Sequence, residues 1–161
     1  MKSPYLAEDN RLADVIAAIQ VLGTYRYYKL DFKNWADRIV GDEAKADYWQ
    51  KIFVQHPEFF RLDTKREKAS LVWRRQYPKR FNVDNGSIIT KEEFEALSPE
   101  AKLRISRNPL ETDSIESLIK TAIDMHSRAL QHQQDKRWWI PFVISAIGGL
   151  VGAIIGVALK K

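Results

Sequence analysis

HPEFFRLDTKREKASLVWRR, residues 56–75, is where the chain changes its period. Phe59-Phe60-Arg61-Leu62-Asp63 reads as a short strand, and residues 64–68 are wholly polar and mostly charged, the composition of a turn. Residues 69–75 read as a second strand, in which Leu71 and Trp73 alternate with Ser70, Val72 and Arg74. His56-Pro57 closes the preceding helix, because the residue before a proline is pushed out of helical geometry. A strand–turn–strand hairpin is therefore expected directly after a helical break.

Working upstream, three helices are expected. Residues 10–23 place Leu12, Val15, Ile16, Ile19 and Leu22 at helical spacing, with Gly23 as a stop. Asp31 is an N-cap candidate for a second helix that carries Phe32, Trp35, Ala36 and Ile39 and stops at Gly41. Residues 43–55 form the third, with Trp49, Ile52 and Phe53 inward. Three helices and a hairpin in this order resemble a winged helix over residues 8–82, on element order and on HPEFFRLD…KASLVWRR. The resemblance implies a mainly α fold with a small β-hairpin, the wing, and a third helix offered to nucleic acid. An unrelated helical α+β module is the alternative.

Downstream, Asp84-Asn85-Gly86 marks a turn between residues 81–83 and 87–89. Thr90 with Glu93 forms a capping box, Ser98-Pro99 restarts a helix, and Asn108-Pro109 ends it. Asp113 with Glu116 caps a long helix whose Ile115, Leu118, Ala122, Met125 and Ala129 form a heptad-like seam, widened by Ile119, Ile123 and Leu130. The expected organisation is a winged-helix-like domain over 1–82, a connecting region with short helices over 83–111, an amphipathic helix and stalk over 112–137, and a transmembrane helix over 138–159.

That last element rests on WWIPFVISAIGGLVGAIIGVAL, residues 138–159, which hold no charge. As a helix the stretch spans ~33 Å, enough for a hydrocarbon core of ~30 Å. Lys136 and Arg137 precede it, Lys160 and Lys161 close it, and Trp138 and Trp139 are placed as interfacial anchors. No apolar leader follows Met1, so the chain resembles a tail-anchored, single-pass membrane protein with its N-terminal domain in the cytosol. Gly148, Gly152 and Gly156 recur on one helix face, resembling a glycine zipper, and imply transmembrane packing into a homo-oligomer within the lipid bilayer.

Chemistry is excluded more readily than found. Of 161 residues none is cysteine, which removes disulfides, a thiol nucleophile and thiolate metal sites. His56 has no serine or acid at a recognised spacing, and His126 and His132 point to different faces of one helix. No phosphate loop or hydrolase signature is present. No enzyme, no metal and no cofactor are expected.

Charge is the informative signal. Between residues 61 and 80 lie Arg61, Lys65, Arg66, Lys68, Arg74, Arg75, Lys79 and Arg80, opposed only by Asp63 and Glu67, in a chain whose net charge is +5. These eight form a candidate polyanion-binding set, beside Trp73, Tyr77 and Phe81 that would pack under the arginines or stack on bases. DNA or RNA, anionic lipid headgroups and an acidic protein all fit such a patch, as does a merely solvated face. The third helix mixes Lys45 and Lys51 with Asp42, Glu43 and Asp47, a poor reader of a groove. The function expected is a membrane-tethered binding module that self-associates through its span. The alternative is an oligomeric membrane effector of toxic or defence type.

Overall fold

In the computed structural model, which describes residues 3–135, helix α1 (Arg11–Thr24) buries Val15, Ala18, Ile19 and Leu22. Gly23 does not stop it. A Cβ at this position would lie 3.2 Å from Cγ1 of Ile115, so the glycine marks a close approach to helix α6 (Thr112–Asp135).

Strand β1 (Lys29–Asp31) follows, and its last residue turns the chain into helix α2 (Phe32–Val40). Asp31 Oδ1 accepts the Asn34 N–H at 2.9 Å, satisfying one orphan donor of the first turn. Gly41 closes α2 at φ +71°, the left-handed region where a residue without Cβ is at ease. A 3-10 turn (Glu43–Lys45), opened by Asp42, leads into helix α3 (Ala46–Gln55), which buries Trp49, Ile52 and Phe53. Strands β2 (Phe60–Leu62) and β3 (Lys68–Leu71) form the hairpin, and β1 pairs with the far side of β3, giving the antiparallel order β1-β3-β2.

The register explains the sheet's two faces. Leu30, Ala69 and Leu62 lie opposite one another, as do Lys29, Ser70 and Arg61. Alternation therefore turns the first row toward the core and the second outward. Trp35 locks the core side, its indole N–H donating to the Ala69 carbonyl at 2.9 Å.

The second expected strand ends early. β3 stops at Leu71, and residues Trp73–Gln76 form a 3-10 turn that rotates the chain. Trp73 is left 39% exposed and Arg74 fully buried, the reverse of the expected alternation. Beyond it, β4 (Phe81–Asn82) pairs with β5 (Ile105–Ser106) in a second small sheet. Two short helices, α4 (Lys91–Ala96) and α5 (Pro99–Lys102), lie between them, α4 opened by the Thr90–Glu93 capping box. Leu118 and Ala122 of α6 sit in the same core as α1, with Ile115, Ile119, Met125 and Ala129 packed against it. The heptad-like seam is thus covered from inside the chain.

The fold class expected from the sequence is corrected. The described chain is mainly helical with two small antiparallel sheets: a third strand, β1, joins the expected hairpin, and β4 pairs with β5 in a second sheet. Among the described residues no helix is long and apolar enough to cross a membrane. The longest, α6, exposes Glu116, Lys120, Asp124 and Arg128 along its outer face. The single-pass, tail-anchored membrane description therefore has no helix to rest on among the described residues and is set aside. The span expected over 138–159, with Trp138, Trp139, Gly148, Gly152 and Gly156, lies outside them.

Arg74 holds the elements together. Its guanidinium donates to the carbonyls of Leu22 and Asn108 at 3.0 Å and of Arg107 at 2.6 Å. Further donations reach the carbonyls of Tyr25, Arg26 and Tyr27. Leu22 lies in the last turn of α1, whose carbonyls lack intrahelical partners and form the negative end of the helix dipole. Burial pushes the Arg74 pKa down to about 10, which leaves it charged at neutral pH. Replacing Arg74 with Met should destabilise the fold by ~3 kcal/mol, because buried carbonyls lose a charged donor. Urea denaturation checks this, and Arg74→Lys should fall between, keeping the charge but reaching fewer carbonyls.

Candidate functional site

The outward row of the first sheet forms the floor of a cleft of about 660 Å3. Lys29 and Arg61 flank Ser70 across three paired strands, so their Cα atoms stand ~10 Å apart. Arg66 enters from the hairpin turn, Arg75 from the 3-10 turn after β3, and Arg107 from the segment after β5. Five cations thus line one cavity, with Val54 and Pro57 along an apolar side.

Arg107 is held in place. Its guanidinium donates to the Arg75 carbonyl at 2.8 Å and to the Tyr77 carbonyl, and lies 5.1 Å from the centre of the Tyr28 ring. This cation–π contact fixes the group at the edge of the cleft.

Asp63, the acid lining the cleft, is already engaged. Its Oδ1 accepts the backbone N–H groups of Glu67 at 2.9 Å and Lys68 at 3.2 Å. Desolvation works to raise its carboxyl, but these two donors together with the charges of Lys29 and Lys68 outweigh it and keep the carboxyl ionised, below the ordinary carboxylate value. The turn they close places Arg66 at φ +59°, a left-handed conformation that costs a side chain ~1 kcal/mol and favours glycine. The turn therefore holds Arg66 where a glycine would be more at ease, with its side chain lining the cleft.

The eight residues singled out from the sequence separate into groups. Arg61, Arg66 and Arg75 meet in the cleft. Lys65 and Lys68 are exposed on and beside the turn. Lys79 is half-buried and reaches the Lys102 carbonyl at 3.4 Å, and Arg80 is half-buried next to β4. Arg74 faces the interior and touches nothing outside the protein. Lys29 and Arg107, distant in sequence, were missed, since only the strand pairing and the Arg107–Tyr28 contact bring them in. Tyr77 packs against the core, Phe81 is half-buried in β4, and Trp73 stays exposed. Helix α3 is committed elsewhere: Lys51 pairs with Glu8 at 3.2 Å, and the Tyr48 hydroxyl bonds Asp14.

Comparison with known protein families, curated proteins and solved structures finds no match for this chain.

His56 belongs to a second polar cluster. It is fully buried, with Nδ1 3.1 Å from Glu58 Oε1, and the Tyr5 hydroxyl donates to the same oxygen at 2.6 Å. Burial raises the Tyr5 pKa far above its ordinary value, and the Glu58 carboxylate adds to this. Burial would also raise Glu58, but the hydrogen bonds from His56 and Tyr5 outweigh it and hold that carboxyl below its usual range. The cluster pins the N-terminal 3-10 turn (Pro4–Leu6) to the end of α3 and to α6, where the Tyr5 hydroxyl also lies 3.5 Å from Met125 Sδ. A side chain with no exposed surface has no access to substrate. The stability Glu58 contributes is complete above its unfolded pKa of about 4.5 and is lost as pH falls through its lower folded value. Glu58→Gln should therefore lower stability at pH 7 and flatten its dependence on pH below 4.5, read by thermal melts across a pH series.

Proposed function

We propose that this chain is a binding module, not an enzyme, and that its basic cleft and hairpin turn contact a polyanion, nucleic acid first of all. The observation that carries the reading is the convergence of Lys29, Arg61, Arg66, Arg75 and Arg107 on one cavity lined by a single acid, Asp63, which leaves a clear excess of positive charge. Clustered cations with low-dielectric walls focus positive potential, and phosphate is the anion that matches arginine's planar fork. The strained Arg66 supports the same reading. So does the order of three helices followed by a hairpin, on which the winged-helix resemblance rests.

Titrating the full chain onto DNA, RNA and anionic lipid vesicles across a salt series tests this. Affinity for nucleic acid should fall steeply with salt, each neutralised phosphate adding ~0.9 to the log–log slope on duplex and ~0.7 on single strands. Arg66→Gly separates binding from folding. It should lower the slope by about one phosphate's worth while the melting temperature holds or rises, because glycine is at ease at φ +59°. Absence of binding at low salt, or preference for the vesicles, contradicts the nucleic-acid reading.

A further inference from the structure

We infer that the cleft takes one unpaired nucleotide of a single strand, its base on Val54 and Pro57 and its phosphate on Arg61, Arg66 and Arg75. The inference rests on the nucleic-acid reading above and narrows it to a form of partner.

Shape is the first argument. A cleft of about 660 Å3 lies within the ~300–1,000 Å3 range of sites that enclose a small ligand. The phosphate rows of a duplex lie on a convex cylinder with the bases stacked inside, so a concave pocket meets them only at its rim. A single strand turns out one base and one phosphate together, and both fit inside.

Chemistry is the second. The walls of the cleft are of two kinds, cationic on the sheet side and apolar where α3 ends. Val54 is 43% exposed at that end of α3, an apolar surface that phosphate alone would leave in water. A nucleotide has the same two kinds of surface, a flat apolar base and an anionic backbone. Arg107, held 5.1 Å from the centre of the Tyr28 ring, adds a further cation at the edge of the cleft.

The third argument is what the duplex reading lacks. A helix that reads a major groove needs free polar side chains along its outer face. In α3, Lys51 is paired with Glu8 and Tyr48 with Asp14, which ties that face to the N-terminal segment and to α1.

The experiment compares three probes with the full chain by fluorescence anisotropy at one salt concentration: an oligothymidylate, an abasic strand of the same length and charge, and a duplex of that length. The oligothymidylate should bind about tenfold tighter than either of the others, the size of one base stacked on a protein surface. Val54→Ser, at an exposed position, should bring the ratio of oligothymidylate to abasic affinity toward one while binding of the abasic strand is unchanged. Equal affinities for all three probes, with a steep salt slope, overturn the single-nucleotide inference and leave the polyanion reading standing. An intact ratio in Val54→Ser also overturns it, because the base then contacts some other surface. Failure of every probe to bind overturns both.

Discussion

A buried guanidinium surrounded by six main-chain carbonyls is the constraint around which this fold closes. Helix α1 ends at Thr24 and Tyr25 runs on in extended backbone, so the helix's last carbonyls need donors from elsewhere. Arg74 provides them from the turn after β3. The same group holds the carbonyls of Arg107 and Asn108, which lie just ahead of α6. One charge therefore joins the end of α1, the lead into β1, the hairpin's exit and the entry to α6. A buried cation without these acceptors would cost several kcal/mol, so separating any one of these segments from the others is costly.

That closure sets the geometry of the cleft. Arg75 follows the hub directly, Arg107 is anchored through its own carbonyl, and Lys29 stands on the strand that begins two residues after Tyr27. Their convergence with Arg61 and Arg66 comes from tertiary structure, not from a run of basic sequence. Positive potential survives by excess, since five cations line the cleft against one ionised acid, Asp63. Asp63 closes the hairpin turn, and Asp31 caps α2, its carboxyl held below the ordinary value by Asn34 against an opposing desolvation.

Local grammar made much of this legible from the amino-acid sequence. Asp31 and Gly41 bound α2 as a cap and a left-handed stop, His56-Pro57 ends α3, and Thr90 with Glu93 opens α4. Each signal acts within a few residues. What was not legible depends on contacts across the chain. Strand β1 has three residues, too few to show a period. Gly23 looks like a helix stop in one dimension and is a point of contact with Ile115 in three. Arg74 is indistinguishable in sequence from Arg75, yet one is interior and the other lines the cleft. The seam on α6 reads equally as an oligomer interface or as core, and Leu118 and Ala122 lie in the core.

The most direct measurement of the central claim is amide NMR of the full chain during titration with a short oligonucleotide. Shifts should concentrate at Lys29, Arg61, Arg66, Arg75 and Arg107, the cations of the cleft. Exposed lysines outside it, Lys33 on α2 and Lys91 at the start of α4, should stay unmoved. Shifts spread evenly over all exposed cations, or centred away from the cleft, would contradict it.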